Sequence, residues 1–285
     1  MISRCTIRRA LSDPNLLGKA LSGDSWAPWR ALLIAAMGEE LTDEERELFK
    51  QLTGREHEPG RRVDELVLVV GRKGGKTRCM ALLAVYLATL VDHRAALSVG
   101  ERGVVLVVAQ SQAVAKVLLR FAEGIIKQSP LLRSLIVART QDAIELSNDL
   151  TIEVRPCNYK SLRGPTYIAA LCDEAAFWFV DAEAANPDTE VVAAIKPALG
   201  LTHGPLIIAS SPYAKKGILW DRYRRHYGAN GDPLILIAQG GTRAFNPLYP
   251  QVTIDAALSE DYARNAAEFF VSFAVTCSRL LIAKH

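Results

Sequence analysis

Residues 66–80 read LVLVVGRKGGKTRCM: an unbroken apolar run, a cluster of glycine and basic residues, then the start of an Ala- and Leu-rich segment. A phosphate-binding loop has the pattern G-x-x-x-x-G-K-[ST], opening on Gly directly after a strand. Here Val70 stands where that first Gly belongs, and Gly71 comes one residue late. The context is nevertheless that of a phosphate cradle. A buried strand leads in and a helix follows at once, so that successive backbone N–H groups and the positive end of the helix dipole face one point. In that frame Gly71, Arg72, Lys73, Gly74 and Gly75 form a shortened cradle, Lys76 reaches the β- and γ-phosphates, and the Thr77 hydroxyl ligates Mg²⁺.

A cradle of this kind needs an acidic partner on a nearby strand. TYIAALCDEAAFW (residues 166–178) supplies Asp173 to hold the Mg²⁺ water shell and Glu174 to orient or deprotonate an attacking water. Two acids together are also common at a helix start, but about a hundred residues after a phosphate loop the catalytic reading prevails. In PLIIASSPYAKKG (residues 205–217), Ser210 and Ser211 end an apolar run before Pro212. Their hydroxyls either lie beside the phosphates, where ligands gather at the carboxyl ends of parallel strands, or merely begin a turn.

Around these motifs the pattern is α/β. LVLVV, GVVLVVA, YIAALC, PLIIAS and LILIA are apolar throughout, which means strands covered on both faces of a mainly parallel sheet. Helical stretches alternate with them, and AIELSN with LTIEVRPC reads as a hairpin turning at Asn148-Asp149. Three regions are expected: a helical segment over 1–60, a nucleotide-binding domain over 61–250 and a helical tail over 251–285, including one helical stretch at 253–270. LTDEERELFKQLTG carries a capping box, Thr42 with Glu45, and a Gly54 stop.

Composition narrows the classes. The chain has 285 residues, 49% hydrophobic and 23% charged, which suits a large core and excludes global disorder. A net charge of +3 restricts any nucleic-acid contact to a local patch. Five cysteines without a C-x-x-C pair argue against a zinc site or disulfide framework and predict a reducing, cytoplasmic setting. The longest apolar run is short of the ~20 residues that a bilayer helix needs, so no membrane association is expected.

VGRKGGKT, ALCDEAAFW and ASSPYAKKGILWDRYRRHYG, with ELFKQLTGRE, NPDTEVVAAIKPAL and FNPLYPQ around them, together resemble the ATPase domain of the large terminase subunit of tailed bacteriophages, over roughly residues 25–270. The resemblance implies a P-loop NTPase fold of the ASCE, RecA-like kind. It also implies an Mg-dependent ATPase motor that drives double-stranded DNA into a capsid in the bacterial host cell. Its partners would be a portal protein, a small terminase subunit and further copies in a ring. By position, Lys76 and Thr77 match the family's phosphate loop, Asp173 and Glu174 its acidic motif, Ser210 and Ser211 its coupling motif, and Arg72 a basic residue credited with phosphate sensing. Arg163, in YKSLRGPT, matches a basic residue able to act as an arginine finger, or is a solvated charge beside a turn. Trp29, Phe49 and Arg55 fall where the family covers the nucleotide base, or belong to the core. The family's nuclease domain is not expected in this chain, because no Asp or Glu follows Glu268 and two-metal cleavage needs several carboxylates. The other readings are a helicase-like ATPase and a prophage remnant that binds nucleotide without turnover.

Overall fold

The structure, a computed structural model, describes residues 2–178, 187–271 and 273. The chain opens with β1 (Ile2–Ser3), α1 (Ile7–Ser12), α2 (Ala27–Ala36) and α3 (Asp43–Thr53). It continues through β2 (Glu65–Val70), α4 (Lys76–Thr89), β3 (Val91–Asp92), β4 (Gly103–Ala109) and α5 (Gln112–Gln128). Next come β5 (Ile136–Arg139), β6 (Ala143–Leu146), β7 (Leu150–Pro156), β8 (Thr166–Asp173) and α6 (Pro187–Thr202). Last are β9 (Leu206–Ser210), α7 (Gly217–His226), β10 (Ile235–Gly240), α8 (Thr242–Phe245), α9 (Gln251–Glu260) and α10 (Tyr262–Phe270).

Among the described residues, eight strands form one sheet in the order β10-β2-β9-β8-β4-β7-β6-β5. It is parallel from β10 to β7 and antiparallel through β6 and β5. The apolar strands sit where helices cover both faces. Along β2 the side chains alternate, so Leu66, Leu68 and Val70 enter one core with α2, α4 and α5. Val67 and Val69 enter a second core with α6 and α7. The helices over 1–60 share the first core, to which they contribute Ile7, Trp29, Leu32 and Phe49.

The hairpin at Asn148-Asp149 forms as β6 and β7, and the capping box of α3 closes in both directions between Thr42 and Glu45. Two expectations change. The stretch 253–270 is broken: α9 ends at Asp261, whose backbone is extended (φ −152°, ψ 94°), and α10 starts afresh. Strand β5 escapes a pattern search because it is a four-residue edge strand with Val137 exposed. Residues 274–285, with Cys277, and Asn186 at the head of the NPDTEV motif lie outside the described residues. No helix among the described residues is long and apolar enough to cross a membrane.

Phe49 is fully buried core, and Arg55 is part of the scaffold. Gly54, in the left-handed conformation (φ 66°), ends α3 against the turn after α7. Arg55 is 8% exposed and donates to the carbonyls of His226, Gly228, Asp232 and Ile235, at the amino end of β10. That is the edge of the sheet opposite the phosphate loop, so Arg55 does not cover a base. Burial lowers its pKa, opposed by Asp232. Arg55→Lys removes the planar fork that reaches several carbonyls at once. It is expected to lower stability in urea unfolding by roughly 1–3 kcal/mol.

Candidate functional site: the loop after β2

Val70, which breaks the usual motif, is still in the sheet, paired with Gly240 of β10. Its side chain lies beneath the loop: a Cβ on Gly74 would come 2.6 Å from Val70 Cγ1. The turn therefore begins one residue later and passes over a valine, which only a glycine at position 74 permits. Gly75 has φ +93° and lies against the Trp26 ring, 3.0 Å from where a Cβ would stand. Lys73 is also left-handed (φ 63°), and its carbonyl accepts from Asn246 Nδ2. Trp29, wholly buried, donates from Nε1 to the Gly74 carbonyl at 2.8 Å. It supports the loop from below and is core, not a cover for a base.

Lys76 opens α4 and is 6% exposed. Its Nζ donates to the Val70 carbonyl (3.0 Å) and to Ser211 Oγ (2.9 Å) and lies 3.8 Å from Glu174 Oε1. Burial pushes the ammonium pKa down, and the carboxylates of Glu174, Asp173 and Glu268 oppose this. Glu174, in the left-handed region (φ 51°), accepts from Ser210 Oγ (3.1 Å) and from the Ser211 backbone N–H (3.4 Å). Strand β9 makes this possible by lying between β2 and β8, so its end separates and bridges the lysine and the acid. Ser210 and Ser211 are thus both bonded into the cluster and are more than the start of a turn.

Asp173 ends β8 and is 1% exposed. Desolvation, reinforced by Glu174, pushes its pKa up to about 7, while Lys76 and the nearby Thr77 hydroxyl pull it down. A hydroxyl beside a buried carboxylate fits Mg²⁺, which takes one or two protein oxygens and completes its shell with phosphates and water.

A cavity of about 520 Å³ opens here, lined in part by Arg72, Lys73, Gly75, Lys76, Thr77 and Glu174. Trp26, Arg78, Phe121 and Asn246 complete its wall, and sequence reasoning missed all four. The Arg78 guanidinium stands 5.0 Å over the Trp26 ring. Asn246 had a usable signal: a polar residue just beyond the last strand falls at the carboxyl edge where ligands gather. Trp26 had none, since a pair of tryptophans three residues apart reads as core.

Arg72 lines the cavity, but its Nη1 is bound to Glu268 Oε2 at 2.9 Å. Arg163 does not join the cluster. It precedes β8, and the eight residues of that strand, at ~3.3 Å each, set it on the order of 20 Å from Asp173. It borders a separate cavity of about 380 Å³ between its own loop and the second half of α6.

The Asp173 shift has a definite sign. With a folded-state pKa near 7, well above its ordinary 3.8, the carboxyl opposes folding increasingly as pH rises between these values. Asp173→Asn is therefore expected to gain on the parent from near zero at pH 4 to roughly 2–4 kcal/mol above pH 7 in the absence of divalent cations. Thermal melts of the two proteins across that range check this.

No protein-family model matches the sequence, and neither does any curated protein. Solved structures do match. The large terminase ATPase domain of Thermus phage P74-26 superposes with a TM-score of 0.57 at 16% identity, covering 74% of this chain and 89% of that one. A mutant of the same domain gives 0.59 at 14% identity, covering 74% and 90%. The HK97 bacteriophage large terminase gives 0.55 at 19% identity, covering 81% of this chain and 50% of that one, so the chain spans about half the length of the HK97 protein. The chain has the fold of a phage large terminase ATPase domain, a P-loop NTPase fold.

Proposed function

We propose that this chain is a motor domain that hydrolyses Mg-ATP and couples the reaction to movement of double-stranded DNA into a phage capsid. The observation that carries the reading is the cluster at the ends of β2, β9 and β8. There a buried lysine, two serines and a half-buried glutamate are joined by hydrogen bonds beside a glycine loop. A structural ion pair needs neither the exposed loop nor the cavity in front of it.

In this reading the γ-phosphate enters between the loop and Glu174. Lys76 turns from Ser211 and the Val70 carbonyl to the phosphate oxygens, a stronger partner for a buried ammonium. Thr77 and Asp173 would hold Mg²⁺, and the ion would supply charge neutralisation for the phosphates. Glu174 takes the proton of a water that attacks the γ-phosphorus as the bond to the β-phosphate oxygen breaks. Ser210 and Ser211 contact both partners, so the state of the phosphate site is felt at the end of β9 and in the loop that leads to α7.

Arg163 stands too far from the cavity at the phosphate loop of its own chain to act there, so a finger role for it is one played toward a neighbouring copy in a ring. Within the chain, Arg72, which lines the cavity, is the alternative for the same charge. A portal protein and a small terminase subunit are the further partners that this reading supplies.

Lys76→Ala is expected to lower Mg-dependent ATP turnover by at least ~10²-fold and to weaken binding, whereas Glu174→Gln keeps the nucleotide and loses ~10²–10⁴-fold in rate. Calorimetric titration and phosphate release with and without duplex DNA measure both, and full turnover in either variant refutes the assigned role. Strand separation of a short duplex would favour a helicase, and binding without turnover in the parent a remnant. Arg163→Ala is expected to reduce turnover by ~10³-fold or more only in assembled protein, with monomer binding unchanged. A specific rate independent of concentration and of this substitution removes the finger from Arg163.

A further inference from the structure

The turn that carries Glu174 is held by contacts that the sheet does not supply. Pairing of β8 with β4 stops at Cys172, and pairing with β9 stops at Asp173. Glu174, the next residue, lies in the left-handed region (φ 51°, ψ 41°). That conformation is unfavourable for any residue with a Cβ and persists only where the surroundings impose it. The direction in which this glutamate leaves the backbone is therefore enforced from outside the strand.

Two hydrogen bonds fix the peptide that joins Asp173 to Glu174, one at each side. Its carbonyl accepts from Trp178 Nε1 at 3.0 Å, and its N–H donates to Asp173 Oδ1, also at 3.0 Å. The peptide is planar, so turning it changes ψ of Asp173 and φ of Glu174 together. The two anchors are unequal. The Thr77 hydroxyl and the Lys76 ammonium also act on the Asp173 carboxylate. The indole has one N–H to give, and its ring, 5% exposed, belongs to the second core with Ala175, Val191 and Ile218. A buried indole needs some acceptor. Here the acceptor is the peptide directly before the strained residue, reached back over the whole turn from its last position. Ser210 Oγ meanwhile holds the far end of the same glutamate at 3.1 Å, so backbone and carboxylate are located by independent bonds.

Resting on the reading of Glu174 as the group that takes the proton of water, we propose that Trp178 is a positioning residue for hydrolysis: its indole N–H, through the Asp173 carbonyl, keeps the Glu174 carboxylate aimed into the cavity. Misplacing a reacting group by ~1 Å can slow a reaction by ~10²-fold, so one backbone bond at this place affects rate out of proportion to its effect on folding.

The test uses the full chain, with phosphate release measured in the presence of duplex DNA and Mg-AMP-PNP binding measured by calorimetry. In Trp178→3-benzothienylalanine the ring keeps the shape of indole and carries sulfur in place of the N–H. Its kcat is expected to fall about 3–10-fold, while KM for ATP and Kd for the analogue stay within about twofold. Trp178→5-fluorotryptophan, made by the same method, retains the N–H and is expected to show the parental kcat. In a Glu174→Gln background the benzothienylalanine is expected to leave the residual rate unchanged, because the group that it positions is gone. A merely structural defect would lower both rates alike. Parental kcat in the benzothienylalanine protein, an equal fall in the Glu174→Gln background, or a weakening of nucleotide binding that matches the fall in kcat overturns the proposal and leaves the hydrolytic reading standing. A parent without turnover, or full turnover in Glu174→Gln, overturns that reading and the positioning with it.

Discussion

A lysine ammonium taken almost wholly out of water dominates the architecture of this molecule. Lys76 retains the Val70 carbonyl, the Ser211 hydroxyl and, at longer range, the Glu174 carboxylate. A buried charge with a missing partner destabilises a protein by several kcal/mol, so these three must converge. They come from the ends of three strands, and they meet only if β9 inserts between β2 and β8. Sheet order, the left-handed backbone at Glu174 and the short passage over Val70 are parts of one solution to the solvation of a single cation.

The amino-terminal helices are joined to the same arrangement from below. Trp29 supplies a hydrogen bond to Gly74 and packs its ring 4.5 Å from that of Phe245 in α8. Trp26, three residues earlier, forms part of the cavity wall. One short segment thus presents one tryptophan to the underside of the loop and another to its open face. At the opposite edge of the sheet, Glu65 is held by Lys196 of α6 and Arg222 of α7, and Arg55 closes the end of α7. The amino edge is thus tied together by long side chains that each bond to several partners.

The sheet was legible because its strands are buried on both faces, and continuous apolar runs such as LVLVV and GVVLVVA allow few other placements. The residues at the strand ends were legible for a related reason: Asp173, Glu174, Ser210 and Ser211 are polar groups at or just past the ends of apolar strands, Lys76 follows the glycine loop after another, and parallel strands end on one edge. What could not be read were pairings between remote segments. Nothing local marks Glu268 as a partner of Arg72, 196 positions away. Arg55 looks the same in sequence whether it faces a ligand or four backbone carbonyls. The break at Asp261 was hidden because no glycine or proline stands between 253 and 270 to mark it. Arg163, matched only by resemblance to a basic residue able to act as an arginine finger, stands at the far edge of the sheet because of the length of β8.

Ser210 and Ser211 are neighbours in an extended segment, and successive side chains there point to opposite sides. Ser211 accordingly meets Lys76 and the Val70 carbonyl, while Ser210 meets Glu174 and the Ala176 N–H. A single-residue insertion or deletion within β9 would exchange these directions, since a one-residue slip reverses every side chain that follows. The reversal would leave the strand as apolar as before and its fold intact, yet it would turn each hydroxyl away from its partner. The constraint on β9 is therefore one of residue count, which substitution within the strand leaves untouched.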